Sequence, residues 1–406
     1  MKTKIALIIL IYLSAHNFFN PLGLIPEKIS KFLFYFFCLL GLIFAMRSNG
    51  RITDYPKKYY NWILLGIVIS IFSVWINYGQ SLSVSVITTL PYIFGYCFLY
   101  IITKFSPDNG FLFKFIKILV IISFFIYIAN LISFPNTIFG GENEDIDMSR
   151  GFPRLGVSMI ELIVFYMLYS INQYHSSNDK KWLVWTCITG VLVILSLTRQ
   201  IILLAFAFSI MMIIHKAKMW KKIVVICSLF AIYQFVLPQI PIYQAMAELS
   251  ELQRDMNDYQ KEDIRITAWR FYTDEYQKNE ITRIIGNGLP SIGNSKIGNQ
   301  FDNITNARFG GNGCYYVDVG WAGFYWLFGI FATLGLLIIL IKALFLAIRF
   351  KKDYYAYWIL FIIISSVASA PIIFHSQVVS LCIILYMIFK YNEKNESDST
   401  YNPQLQ

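Results

Sequence analysis

The sequence predicts an all-α polytopic membrane protein, and three observations carry that expectation. Of its 406 residues, 57% are hydrophobic and 14% charged, against about 25% charged in soluble domains. The apolar residues come in long blocks that meet or approach the roughly 20 residues a helix needs to cross a hydrocarbon core of about 30 Å. Lys and Arg cluster in short flanks between those blocks. Helix follows from the setting, because a lipid-facing backbone must satisfy its own hydrogen bonds.

Twelve spans are expected in order along the chain, at about 4–20, 32–46, 60–77, 83–103, 112–134, 156–173, 182–198, 200–215, 222–237, 318–348, 355–370 and 372–390. Spans two, eight and eleven are short, and the tenth is long enough to require tilt, a kink or an interfacial part. The first block lacks a small-residue cleavage site and leads into further spans, so it reads as a retained helix rather than a signal peptide.

Short cytoplasmic connections should hold the positive charge. Lys2 and Lys4, then Arg47, Arg51, Lys57 and Lys58, then Lys104, Lys114 and Lys117 fall on the N-terminus and the first even-numbered connections. Lys180 and Lys181, the lysines of 216–222, Arg349, Lys351 and Lys352, and finally Lys390 and Lys394 continue the pattern. Odd connections such as "NYGQSLS" (77–83) carry almost none. Both termini are therefore expected inside. The net charge of +10 reflects topology rather than nucleic-acid binding, since no basic domain or aromatic-basic RNA motif accompanies it.

Residues 183–214 form a 32-residue apolar block interrupted only at Thr198, Arg199 and Gln200. As one helix it would run about 48 Å, too long for a single crossing. Lysines flank it on both sides, at 180–181 and 216–222, so an even number of crossings lies between them. Arg199 is thereby placed at a tight hairpin on the outer side.

Two outer connections stand out. "PNTIFGGENEDIDMSRGFPRL" (135–155) is acidic and then ends in Arg150 and Arg154 before span six. The connection 238–317, about 80 residues long, exceeds ordinary interhelical loops many times over and reads as a partly helical outer subdomain. Its first part, 243–279, has few breakers and a helical pattern, whereas 284–316 is rich in Gly and Asn and suits tight turns near a polar ligand. The domain organisation is thus spans one to nine over 1–237, the large loop over 238–317, spans ten to twelve over 318–390, and a disordered cytoplasmic tail over 391–406.

An outer arginine opposes the orientation bias, and a charge near the bilayer centre costs about 2.5–3.5 kcal/mol on insertion scales. Arg199 should therefore face the bundle interior or an aqueous cavity, where its fork of donors matches phosphate or carboxylate oxygens. Snorkelling to outer headgroups, or pairing with Glu161, is the plainer alternative. Arg265 and Arg270 share an expected helix with Glu262, Asp263 and Asp274, and i,i+4 pairing explains such a run without any ligand. "GNGLP" (286–290) lacks the strand–helix context of a nucleotide site.

Asp318 opens the tenth span, where it either caps backbone N–H groups or serves as a general base at the membrane surface. Of four histidines, His16 and His375 lie in the outer halves of spans one and twelve. Five of the six cysteines sit inside apolar runs and none forms a CxxC pair, so they read as core filler, with neither a disulfide framework nor a metal site expected. No GxSxG elbow or HExxH motif occurs.

Several stretches, in this order, resemble the O-antigen polymerase and ligase superfamily, the Wzy-like bacterial membrane glycosyltransferases. "RGFPRLGVSMIELIVFY" (150–166) looks like the family's entry into a mid-chain span, and "LSLTRQIILLAFAFSI" (195–210) resembles its S/T–x–S/T–R hairpin. "RITAWRFYTDEYQKNEITRIIGNGLPSIG" (265–293) resembles its large outer loop, with Arg–x–x–x–Trp and a later G–x–G; "YYVDVGWAGFYWLFGIFATLGLL" (315–337) resembles the aromatic-Gly span that follows.

The resemblance implies polymerisation of undecaprenyl-diphosphate-linked oligosaccharide repeat units into O-antigen, capsule or exopolysaccharide at the outer face of the bacterial inner membrane. It implies that Arg199, Arg265 and Arg154 bind the lipid diphosphate, with Arg150 and Arg270 as further candidates. Fixed cations there stabilise the charge that grows on the leaving group. No nucleotide, metal or other cofactor is implied; the partners are the lipid-linked substrate, the bilayer, and a flippase and chain-length regulator. Ligases of the superfamily carry a catalytic histidine in the large outer loop, and residues 238–317 contain none. Asp318 takes that place as candidate base, with His375 in reserve. A ligase and a lipid-linked oligosaccharide flippase remain the competing functions.

Overall fold

The computed structural model describes residues 2–18, 26–50, 52, 55–134, 138, 159–216, 239, 244, 264–277, 279–309 and 315–401. Among them lie fourteen α-helices and no β-strand: α1 Lys2–Ala15, α2 Glu27–Met46, α3 Lys57–Tyr78, α4 Leu82–Phe105, α5 Asn109–Ile132, α6 Ile160–Ser177, α7 Lys181–Leu195, α8 Arg199–Lys216, α9 Ile264–Arg270, α10 Glu280–Ile285, α11 Lys296–Phe309, α12 Gly320–Arg349, α13 Asp353–Ser365 and α14 His375–Tyr401. Five of them, α2 to α5 and α12, are long and apolar enough to cross a membrane; α7, α8, α13 and the first part of α14 are apolar but shorter. Helices stand over eleven of the twelve expected spans, and the ninth, 222–237, lies outside the described residues.

The differences from expectation have local causes. Span two is longer than expected at its N-terminal end, where α2 begins at Glu27 directly after Pro26 at the N-cap. Asn17 adopts a left-handed φ of 55°, so α1 ends before residue 20. The helix expected over 355–370 stops at Ser365, and turns occupy 366–374 around Pro371, which has no N–H to continue the ladder. The stretch 296–309, read as turns, forms α11, and α14 continues to Tyr401 into the stretch read as a disordered tail.

The chain divides into two compact units, residues 1–20, 24–116 and 265–406 in the first and residues 21–23 and 117–264 in the second. In the first, α3 packs on α12, α4 on α14, and α2 on α1 and α4. Trp326, Trp358, Tyr12 and Tyr355 are among its fully buried side chains. The described part of the long connection from Arg265 onward belongs to this unit, with α10 packed on both α12 and α3.

The long tenth span is broken. Gly329, with φ 76° and ψ 178°, divides α12 into a short helix at 320–328 and a long one after it. A break in an apolar helix strands carbonyls that need donors. Asn287 and Gly288 supply them, their N–H groups donating to the Trp326 and Leu327 carbonyls at 2.8 and 3.0 Å. A Cβ at Gly329 would meet the Ile284 carbonyl oxygen at 2.2 Å. Gly329→Ala is therefore expected to cost about 3 kcal/mol or more, from a backbone region essentially reserved for glycine plus the clash. The check is the thermal unfolding midpoint in detergent, and an unaltered midpoint would refute the account.

In the second unit α6 packs on α7 and α8, and α7 on α8. Tyr166 meets Trp185 edge-on at 5.6 Å and Tyr169 meets Trp182 at 5.5 Å, fixing the α6–α7 pair. Between α7 and α8 the chain reverses over Ser196, Leu197 and Thr198, with Leu197 at φ 49°. The hairpin read from the 183–214 block is thus present.

Candidate functional site

The glycine-rich stretch 286–291 is buried throughout and serves as a plug rather than a nucleotide loop. Gly286 and Gly288 take φ values of 83° and 81°. Ser73 donates to the Gly286 carbonyl and the Tyr78 hydroxyl to Asn287 Oδ1, both at 2.5 Å. Gln80, 2% exposed, uses its whole amide: Nε2 donates to the Leu289 carbonyl at 3.0 Å and Oε1 accepts from Ser291 N at 2.9 Å. One polar stripe at the end of α3 thereby holds a segment more than two hundred residues away. Each buried polar atom must be paired or it costs about 1–3 kcal/mol, so this segment is held firmly.

That plug positions the short N-terminal part of α12 and the residues just before it. Asp318 ends a 3-10 turn, Tyr316–Asp318, where its Oδ2 accepts the Tyr315 N–H at 2.8 Å. The cap expected of it on the tenth span is not the one observed: the N-cap of α12 is Val319, and Asp318 closes the capping box of the preceding turn instead. Partial burial raises the Asp318 carboxyl above its ordinary range, while the Tyr315 N–H and the charge of Arg265 pull it down. Arg265 and Asp318 are thus electrostatic neighbours, which sequence spacing alone did not establish.

Arg265 rides on the exposed first turn of α9. Its helix is pinned by Trp269, whose indole Nε1 donates to the Val367 carbonyl at 2.8 Å. The turns after α13 also receive the start of α12, through the Trp321 N–H on the Ser366 carbonyl at 2.9 Å. The Arg–x–x–x–Trp spacing therefore works as an anchor plus an exposed cation. Arg270 is exposed at the other end of α9, immediately before a π-helical turn, Phe271–Glu275.

Two residues missed in the sequence border the same place. Tyr315 donates its phenol to Asp302 Oδ1 at 2.7 Å, and that bond to a carboxylate raises the phenol further from ionisation. No motif signals the pair, because α11 brings Asp302 to Tyr315 only through tertiary packing. Phe301, beside it, stacks on Trp326 with ring centroids 5.2 Å apart, and Trp326 donates its indole N–H to the Tyr276 carbonyl at 2.8 Å. The crevice among Tyr78, Tyr276, Asn287, Phe301 and Trp326 holds no more than about one water. Its aromatic wall is packing that supports the site.

Arg199 is the first residue of α8 and is half-buried. A cation opposes the positive end of a helix dipole, so the α8 terminus and the guanidinium both favour an anion there. Glu161, its proposed partner, is 4% exposed in the first turn of α6. Arg150 and Arg154 lie outside the described residues. His375 opens α14 in a different setting from Asp318, its ring 5.2 Å from Phe34 and its backbone against Gly95. His16 and Lys31 are its charged or ionisable neighbours.

The acidic connection also contains Asp145 and Asp147, an Asp–x–Asp spacing of the kind metal-dependent glycosyltransferases use, which the sequence reading passed over. Both lie outside the described residues. Among the described residues no three His, Cys, Asp or Glu side chains converge as a metal-binding set. Compared with known proteins, the chain matches no family model and no curated sequence.

Proposed function

We propose that this protein is a bacterial inner-membrane glycosyltransferase that polymerises polyprenyl-diphosphate-linked oligosaccharide repeat units on the outer face. The reading takes twelve crossings with both termini cytoplasmic, from the alternation of basic and uncharged connections. The observation that supports it most is a half-buried Asp318 with its proton affinity raised by burial and the charge of Arg265 within electrostatic reach. In a group transfer from a lipid diphosphate, a carboxylate with raised proton affinity removes the proton of the acceptor hydroxyl as it attacks the anomeric carbon. A cation nearby stabilises the diphosphate that departs. Arg199 keeps the diphosphate-binding role that the resemblance implies for it.

A second reading has one observation in its favour. Helices broken within an apolar span are a mark of transporters, whose substrate sites use freed backbone groups, and α12 is broken at Gly329. Here the Trp326 and Leu327 carbonyls are already taken by Asn287 and Gly288, which favours the enzyme. Purified protein in detergent, given defined lipid-linked repeat units without a gradient, is expected to yield polymer. Absence of product from well-folded protein would reject polymerase and leave the ligase and flippase readings. An arm with EDTA is expected to leave the yield unaltered; loss of product there would bring Asp145 and Asp147 into the reaction.

A further inference from the structure

Well away in sequence from the proposed reaction centre, the first unit contains a cavity of about 850 Å³ between α2, α3 and α4. Its polar lining comes from Tyr55 in the α2–α3 connection, Lys57 and Asn61 on the first turns of α3, and Thr103 and Lys104 at the end of α4. None of the described residues lining it is acidic; Arg51, Thr53 and Asp54 of the same connection lie outside the described residues.

Two features separate this cavity from an ordinary gap between helices. First, the hydroxyl of Thr103, a residue only 5% exposed, is buried and makes no hydrogen bond, and the buried Tyr55 hydroxyl has only the neighbouring Tyr60 phenol beside it. A buried hydroxyl without a partner is costly, and native proteins keep few of them. Second, Lys57 and Lys104 share the lining with apolar Leu42 and Leu64. The volume is of the size that holds a drug-sized ligand, about 300–1,000 Å³, and is far more than a free phosphate ion fills. Cationic side chains and an idle hydroxyl at one place, with apolar wall beside them, match an anionic headgroup joined to hydrocarbon.

We propose that this cavity seats the phosphate headgroup of an anionic phospholipid, with Lys57 and Lys104 supplying charge and Tyr55 and Thr103 supplying hydrogen bonds. The site is separate from the proposed glycosyl-transfer centre and does not depend on that reading.

The test uses purified full-length protein in neutral detergent, titrated in parallel with phosphatidylglycerol, phosphatidylcholine or sodium phosphate while the thermal unfolding midpoint is followed. Phosphatidylglycerol is expected to raise the midpoint saturably, and the other two to leave it in place. The double variant K57Q/K104Q should need at least about tenfold more phosphatidylglycerol for the same rise, a loss of about 1.4 kcal/mol in binding. A variant of another basic connection, K351Q/K352Q, should need no more than the wild type. An equal rise with phosphatidylcholine or with phosphate, an unaltered response of the cavity variant, or an equal loss in the control pair would each overturn the proposal. Thr103→Val supplies a second reading that does not depend on charge. It should raise the midpoint without lipid, by removing an unpaired hydroxyl, and shrink the phosphatidylglycerol response; an undiminished response counts against the site.

Discussion

Replacing Arg265 by alanine is expected to lower polymer formation from defined lipid-linked repeat units by about 100-fold or more, the loss that follows removal of one well-placed transition-state donor. The side chain is exposed, so the fold should survive, and the thermal midpoint of the variant should stay with that of the wild type. The charge on the leaving diphosphate is largest as the glycosidic bond breaks, so the loss should fall on kcat rather than on KM. Lysine at the same position keeps the charge but not the planar fork, and should restore only part of the rate. A variant whose KM alone rises would show that Arg265 only binds substrate. Wild-type polymer from Arg265→Ala would remove it from the site. Arg199→Ala should likewise yield single repeat units without chain.

Asp318→Asn should separate activity from stability. The amide can still accept the Tyr315 N–H that Oδ2 now accepts, but it cannot take a proton from an acceptor hydroxyl, so polymerisation should fall by about 100-fold or more, the order reached by a positioned general base. The sign of the stability effect follows from the raised carboxyl. A carboxyl whose folded-state pKa lies above its unfolded value stabilises the fold while protonated, and that contribution fades as pH rises through the folded pKa. At neutral pH the carboxylate is therefore a burden on the fold, and the asparagine variant should melt no lower than the wild type. Wild-type activity should fall on the acid side as the base takes up its proton, with that limb above the usual carboxylate range. A wild-type limb at or below the range of a free aspartate, or retained polymerisation in Asp318→Asn, would move the base elsewhere, with His375 next in line.

The parts of this molecule that depend on chain-local chemistry could be read from the sequence. Runs of apolar residues with lysines at alternate gaps announced the helices, and the single polar break at Thr198–Gln200 announced the hairpin that carries Arg199. The length of the tenth span signalled a disturbance in it. Its location could not be read, because Gly329 is one of four glycines along α12, and it is the N–H groups of Asn287 and Gly288, forty residues earlier, that make the break tolerable there. The helix α11 escaped for a related reason. Its sequence is rich in Asn and carries a glycine, poor helix formers, and what holds it is Phe301 against Trp326. Asp318 was visible as an acid at a span's entrance. Its neighbours Arg265, Tyr315 and Asp302 became a group only once α9 and α11 were folded onto the same unit.

The plug at Gly329 also sets an order of assembly. Ser73 and Gly286 are 213 residues apart, and Tyr78 and Asn287 are 209 apart. Contacts so distant in the chain close late, since the entropy of a large loop is spent before they repay it. Until residues 286–291 are made, the hydroxyls of Ser73 and Tyr78 and the amide of Gln80 lack the partners that this segment supplies. The arrival of 286–291 and then of the two halves of α12 satisfies both sides together. A chain that stops before residue 286 therefore leaves the Ser73 and Tyr78 hydroxyls and the Gln80 amide without these bonds.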